Sequence, residues 1–79
     1  MQTIFVMIKA EMGKAYEVAD LAVDVDGVSE VHSISGQFDL LVKCYLEPGI
    51  DAGHFVTGGL QTLPGVKDTF TLIAFKAFT

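Results

Sequence analysis

Arginine is absent from this chain of 79 residues, and only five lysines oppose ten acidic residues, for a formal net charge of −5. Proteins that bind DNA or RNA use clustered lysine and arginine side chains to contact phosphates and release counterions. Arginine is also the usual bidentate partner of guanine and of phosphate. The composition therefore argues against direct nucleic-acid binding by this chain.

Cysteine and long apolar segments are also scarce. The single cysteine, Cys44, cannot form an intramolecular disulfide, and its place in an apolar strand pattern predicts a core residue. No apolar run approaches the roughly 20 residues that span a bilayer. Residues 1–4 lack the basic and small-residue features of a secretory signal peptide. These absences predict a cytoplasmic protein with no membrane association.

Groupings of reactive side chains are missing as well. No set of cysteine, histidine and carboxylate residues has the spacing of metal ligands, and no glycine phrase matches a phosphate-binding loop. The two histidines stand alone: His32 is expected to be partly buried in a strand, and His54 to be solvated in the first turn of a helix. We therefore expect no metal, no cofactor and no catalytic site.

A short phrase, in contrast, occurs twice. Residues 26–33 read DGVSEVHS and residues 64–71 read PGVKDTFT, which places the two glycines, Gly27 and Gly65, 38 positions apart. Each phrase opens a segment with β character. The repeat predicts two similar halves, each made of a strand, a helix and a strand.

Hydrophobic periodicity predicts the order βαββαβ. Apolar residues alternate in the strand segments and recur at helical spacing in the helical ones. Strands are expected at 3–10, 28–35, 38–46 and 66–77, and helices at 13–25 and 51–63. Gly36-Gln37 is expected to form a two-residue type II′ hairpin turn, and Gly59 to allow close packing of the second helix on the sheet. The chain is thus predicted to form one α+β domain (1–79) of ferredoxin-like fold, with a four-stranded antiparallel sheet and both helices on one face.

The face of the sheet opposite the helices is expected to be apolar. Two helices cover one face only, and strand parity directs Phe5, Met7, Leu41 and Tyr45 to the other. The chain is 51% hydrophobic with a mean hydropathy of +0.47, which is high for a small soluble monomer. An exposed face of this kind requires a partner. We therefore predict a homodimer in which two sheets pack face to face, as in dimeric α/β-barrel proteins.

Several polar residues are candidates for a binding site. Asp39 shares its strand face with Leu41, and it either caps amides at the end of a turn or binds an ammonium group at the mouth of the apolar interface. Thr69 and Thr71 are either ordinary strand formers or polar groups of a small pocket. Through the repeat Thr71 matches Ser33, and Ser35 lies one step beyond it.

Taken together, these motifs resemble the effector domain of the Lrp/AsnC transcriptional regulators, called RAM for regulation of amino-acid metabolism. The resemblance covers almost the whole chain and rests on SGQFDLLV at 35–42, LPGV at 63–66 and TFT at 69–71. It implies an ACT-like fold, dimers that assemble into rings such as octamers or decamers, and amino-acid effectors bound between subunits. The effector pocket implied by the resemblance is lined by Gly36, Gln37, Phe38, Asp39, Thr69 and Thr71, with Asp39 contacting the α-ammonium group.

The sequence departs from full-length members of that family, because no segment resembles a helix-turn-helix domain. The resemblance then implies a stand-alone effector domain that senses amino acids, self-assembles and joins a full-length Lrp/AsnC regulator. Two other interpretations stay open. One is a structural oligomerisation module without a ligand, and the other is a small dimeric α+β barrel enzyme, for which His32 and Tyr45 are the only candidate residues.

Overall fold

The computed structural model describes all 79 residues and has the predicted βαββαβ order. The second helix continues directly into a π-helical turn. The elements are β1 (Gln2–Ala10), α1 (Ala15–Ala22), β2 (Val28–Ser33), β3 (Leu40–Leu46), α2 (Ala52–Phe55) with the π-helical turn (Val56–Leu60), and β4 (Val66–Ile73). The strands form one antiparallel sheet in the order β2-β3-β1-β4, which confirms the ferredoxin-like α+β fold.

The core lies between the helices and one face of the sheet. Alternate residues of β1 and β3 point into it, because successive side chains of a strand leave opposite faces. Cys44 is among them and is fully buried, as predicted. The core residues are Ile4, Val6, Ile8, Ala10, Val18, Ala22, Leu40, Val42, Cys44, Leu46, Val56 and Leu60. Burial of each large aliphatic side chain contributes about 1.5–3 kcal/mol to folding.

The opposite face of the sheet, which we call the open face, carries the predicted second set of apolar side chains. The register pairs Phe5 with Lys43 and Leu72, and Met7 with Leu41 and Phe70. Because directly paired residues share a face, these side chains lie together on the open face. Phe70 is 51% exposed.

The sequence repeat corresponds to two equivalent turns between a helix and a strand. Gly27 and Gly65 have φ values of +98° and +93°, which L side chains rarely adopt. Each also packs closely against a helix. A Cβ on Gly27 would lie 3.2 Å from the Phe55 ring of α2, and one on Gly65 would lie 3.0 Å from Val18 of α1. The glycines of the repeat are thus required by both conformation and space.

The connection between β2 and β3 is longer than predicted. β2 ends at Ser33 rather than at residue 35, and the Ile34 N–H donates to the Asp39 carbonyl oxygen at 2.9 Å. Residues 35–38 therefore form a four-residue loop, and the prediction of a two-residue type II′ turn is wrong. The cause is Asp39, whose own N–H donates to the carbonyl of Ile8 in β1 at 2.9 Å. This bond holds the start of β3 against β1.

The helices and the last strand are shorter than the apolar patterns suggested. Ala15–Ala22 replaces 13–25, and β4 ends at Ile73 rather than at residue 77. After Phe55 the second helix widens into the π-helical turn, where the Gln61 N–H donates to the Val56 carbonyl at 2.8 Å. A Cβ on Gly59 would make only an ordinary 3.7 Å contact, so close helix packing does not explain that glycine. No helix of this chain is long and apolar enough to cross a bilayer.

Candidate functional site

Three strand ends meet at one edge of the sheet. Because β3 and β4 both run antiparallel to β1, the end of β1 lies beside the beginnings of the other two. The connection that follows β1 is held there, since the Glu11 N–H donates to the carbonyl of Gly65 at 2.7 Å. Side chains from distant parts of the sequence therefore converge at this edge.

Asp39 is the half-buried carboxylate at the centre of this edge. Its Oδ2 accepts a hydrogen bond from the Ala10 N–H at 2.9 Å, and the Lys9 Nζ lies 3.9 Å from the same oxygen. The carboxylate thereby extends the β1–β3 ladder beyond the last backbone pair. Both contacts use Oδ2, so Oδ1 accepts no hydrogen bond from the protein. Asp39 therefore caps an amide, although of another strand rather than of its own turn, and its second oxygen has no hydrogen-bond partner in the protein.

A cleft of about 290 Å³ opens beside Asp39. It is bounded by the end of β1, the connection to α1 and the start of β4. Its lining residues are Lys9, Ala10, Glu11, Met12, Gly13, Ala15, Asp39 and Lys67. The volume is near the lower limit for small-molecule sites, which run from about 300 to 1,000 Å³. Two cationic and two anionic side chains give the cleft a balanced charge.

The other predicted site residues around the hairpin do not line this cleft. Gly36, Gln37 and Phe38 lie in the loop before Asp39, and the Phe38 ring packs on Phe70 of the open face with 6.1 Å between ring centroids. Ser33 and Ser35 are exposed at the end of β2 and in the loop.

Thr69 and Thr71 lie on the face of the sheet opposite to that of the Asp39 side chain. They pair with Ile8 and Val6, whose side chains are buried under the helices. The Thr69 Oγ1 accepts a hydrogen bond from the Gln61 Nε2 at 2.7 Å. Within one chain, the two threonines and the carboxylate therefore do not form a single pocket.

A second polar group of residues lies on the open face at the β2 edge. Glu30 Oε1 is 2.9 Å from His32 Nε2, and Glu30 Oε2 is 3.7 Å from Lys43 Nζ. The hydrogen bond with His32, followed by the charge of Lys43, lowers the pKa of Glu30. Interaction with the Tyr45 side chain raises the pKa of Lys43. His32 is exposed, so the prediction that it is partly buried is wrong.

Comparison with known proteins assigns the chain to a family. The family of the Lrp/AsnC ligand binding domain matches residues 3–79. This chain belongs to the Lrp/AsnC family. Its fold and the resemblance found in its sequence motifs agree with that assignment.

Relatives of this Lrp/AsnC domain include transcriptional regulators about twice its length. The HTH-type transcriptional regulator FL11 of Pyrococcus abyssi is 32% identical over 72 residues, which cover 91% of this chain and 47% of FL11. The crystal structure of TTHA0845 from Thermus thermophilus matches with a TM-score of 0.87 and 32% identity, covering 100% of this chain and 99% of that one. The Neisseria meningitidis transcriptional regulator NMB0573, solved in complex with L-Met, shares the fold with a TM-score of 0.85 at 20% identity, covering 99% of this chain and 52% of that one.

The sequence of this Lrp/AsnC domain gave no indication of the two lysines of the cleft. Lys9 ends an alternating strand pattern, and Lys67 lies within the second repeat phrase, so each has the appearance of an ordinary surface residue. Their position in the cleft follows from the topology of the sheet. An antiparallel ferredoxin-like sheet brings the end of β1 beside the starts of β3 and β4, and Lys9, Asp39 and Lys67 occupy those positions.

Proposed function

We propose that this chain binds a free amino acid and, through its assembly state, modulates transcription without contacting DNA itself. Family membership supports the proposal, because its relatives are transcriptional regulators and one structural neighbour was solved with L-Met bound. The acidic composition and the absence of arginine support a role without DNA contact. Reduced, buried Cys44 is in keeping with a cytoplasmic setting.

The Asp39 carboxylate is the observation that carries this proposal. It is half-buried, held in place by the Ala10 N–H, and has Oδ1 free of protein hydrogen bonds. A charge-assisted hydrogen bond from an ammonium group is about twice as strong as one between neutral groups. In this role Asp39 holds the α-ammonium group of the effector.

The arrangement of the remaining predicted residues supports a pocket built by more than one subunit. Asp39 lies on one face of the sheet, and Thr69 and Thr71 lie on the other. One amino acid can reach both only if the threonines come from a neighbouring subunit. Gly36, Gln37 and Phe38, which lie outside the cleft of the single chain, would then line the wider pocket between subunits on the Asp39 side, with Ser33 and Ser35 at its margin.

Self-association through the open face completes the proposal. A groove of about 780 Å³ lies at one end of this face, bounded by the C-terminal segment and lined in part by Phe5, Tyr45 and Phe75. Phe75 is 98% exposed in the single chain. Packing of two open faces would bury this apolar surface and form a homodimer, and further assembly into rings would bring the two halves of each pocket together. A full-length Lrp/AsnC regulator is the proposed partner of this assembly.

Thermal unfolding of the purified protein with each of the twenty amino acids at millimolar concentration tests the proposal. A ligand at 100 times its dissociation constant that binds only the native state stabilises it by about 2.7 kcal/mol. In a domain of this size, such a change moves Tm by roughly 10 °C or more. We expect a clear shift with one amino acid or a few related ones.

The variant Asp39→Asn links such a shift to the proposed site. The amide oxygen can still accept the Ala10 N–H, so the fold is kept while the negative charge is lost. We expect the thermal shift to disappear in this variant, and an unchanged shift would remove Asp39 from the site. If the wild-type protein assembles but responds to none of the twenty amino acids, the structural oligomerisation module becomes the better interpretation.

A further inference from the structure

We infer that Lys9 and Lys67 bind the α-carboxylate of the effector, so that the cleft recognises an amino acid as a zwitterion. The inference rests on the proposed function, in which Asp39 holds the α-ammonium group of the amino acid. It assigns the other charged group of the amino acid, the α-carboxylate, to the two lysines. It concerns two residues that no sequence motif indicated.

The first observation is the pairing of opposite charges at the Asp39 carboxylate. Lys9 Nζ lies 3.9 Å from Asp39 Oδ2, which is beyond good hydrogen-bond distance, and both side chains remain partly exposed at 41% and 34%. This contact is therefore a weak ion pair. Because Lys9 is not engaged in a short hydrogen bond, its ammonium group is available to an incoming carboxylate.

The second observation is the position of Lys67. The register of β1 and β4 is regular as far as Lys9 and Asp68, and the next pair joins Ala10 to Val66. Lys67 is therefore the extra residue of a β-bulge, a feature that re-aims a side chain at the end of a strand. It lines the cleft and forms no ion pair within the protein.

The third observation is the balance of charge. The protein as a whole carries five lysines against ten acidic residues, yet two of those five lysines line this one small cleft. The cleft also contains Glu11 beside Asp39, so that its cationic and anionic side chains are equal in number. A simple anion or a simple amine would leave half of these charges without a partner. A zwitterion with its two charges a few atoms apart satisfies both kinds.

Binding of three related probes to the intact protein tests this assignment. The probes are the free L-amino acid that gives the largest thermal shift, its α-amide and its decarboxylated amine, each titrated by calorimetry. Each analogue lacks the negative charge that a charge-assisted hydrogen bond requires. We therefore expect the wild-type protein to bind the amino acid roughly tenfold to a hundredfold more tightly than either analogue.

The double variant Lys9→Gln/Lys67→Gln should lose this preference and bind the three probes with similar affinity. Lys14→Gln, which changes an exposed lysine that lines neither the cleft nor the groove of the open face, should keep it. If the double variant still prefers the free amino acid, the carboxylate is held elsewhere. If the wild-type protein binds the amide equally well, no group of the protein recognises the carboxylate charge. Either result overturns the assignment while the proposed function stands. If none of the twenty amino acids binds the wild-type protein, the proposed function fails and this inference fails with it.

Discussion

Asp39 has a structural task as well as its proposed role in binding, and the two can be separated. Its Oδ2 satisfies the N–H of buried Ala10. Leaving a buried donor without a partner costs about 1–3 kcal/mol. We expect Asp39→Ala to lower the free energy of unfolding by that amount in the absence of ligand. Asp39→Asn should lower it by less than about 1 kcal/mol, because the amide still provides an acceptor.

Urea denaturation at one fixed protein concentration measures this difference. The concentration must be fixed because the stability of an associating protein depends on it. Equal losses in the two variants would mean that the charge of Asp39, rather than its contact with Ala10, stabilises the fold.

Cys44 provides a prediction about pH. Burial raises the pKa of its thiol from 9.0 to about 11. Between these values the native state holds a proton that the unfolded state has lost, so stability is fully present below pH 9 and falls as the pH rises towards 11. The slope contributed by one such group is at most about 1.4 kcal/mol per pH unit. In Cys44→Val the same window should lack this contribution, so that the wild type loses stability relative to the variant as the pH rises.

Thermal unfolding of both proteins at several pH values from about 8 to about 11 gives the comparison. All other titratable groups are common to the two proteins, so their effect cancels in the difference. A difference that stays constant with pH would show that the thiol is not protected by the core.

At the scale of elements, hydrophobic periodicity correctly predicted which strand face is buried, because core packing determines it. It failed where a single hydrogen bond determines the local structure. The alternation in β1 and β3 identified the buried face, because a shift by one residue would turn every apolar side chain outward. It could not predict the four-residue hairpin loop, which depends on the bond between Asp39 N–H and the Ile8 carbonyl. Nor could it predict the π-helical turn, because the pattern of apolar residues continues through it.

Comparing Gly65, a glycine of the repeat, with Gly49, which lies outside it, separates the cost of steric crowding from the cost of backbone strain. Gly65 and Gly49 have almost the same φ, +93° and +92°, but only Gly65 has neighbours within 4 Å of an added Cβ, with Val18 at 3.0 Å and Lys14 at 3.3 Å. Strain of this kind costs about 1–3 kcal/mol. We expect Gly49→Ala to lose that amount. Gly65→Ala should lose about 1–3 kcal/mol more, because α1 must move to admit the methyl group.

Denaturant unfolding of the two variants at matched concentration measures both losses. The excess in Gly65→Ala reports the packing of α1 on the turn before β4. Equal losses would indicate that α1 adjusts without cost and that the repeat glycine is required by conformation alone.

At the scale of the whole molecule, the sequence allowed the kind of candidate site to be predicted more readily than the residues that form it. The motif around Asp39 was recognisable because it is continuous in the chain. The cleft is not continuous: Lys9, Asp39 and Lys67 come together only when three antiparallel strands are aligned. The placement of Thr69 and Thr71 on the face opposite to the Asp39 side chain likewise becomes visible only in the paired sheet. Alternation along β4 shows which of its own residues share a face, but not which residues of β3 share that face with them.

The open face leads to the prediction for the assembled protein. Phe70 lies on β4, at one side of that face, where it is 51% exposed and its ring packs on that of Phe38. In a dimer formed by two open faces, Phe70→Glu would bury a carboxylate without a partner, which is strongly destabilising, by about 3–5 kcal/mol. We expect the dimer dissociation constant to rise roughly hundredfold or more. Tyr16→Glu is the matched control, because Tyr16 is 74% exposed on α1 on the other side of the molecule.

Sedimentation equilibrium measures association, and circular dichroism verifies that the variant subunits stay folded. We expect Phe70→Glu to yield a folded monomer and Tyr16→Glu to associate as the wild type does. Dissociation caused by Tyr16→Glu instead would place the interface on the helices. Since the proposed pocket combines residues from opposite faces of two subunits, Phe70→Glu should also lose the thermal response to amino acids while its Asp39 is intact. A monomeric variant that still responds would show that one chain alone binds the effector.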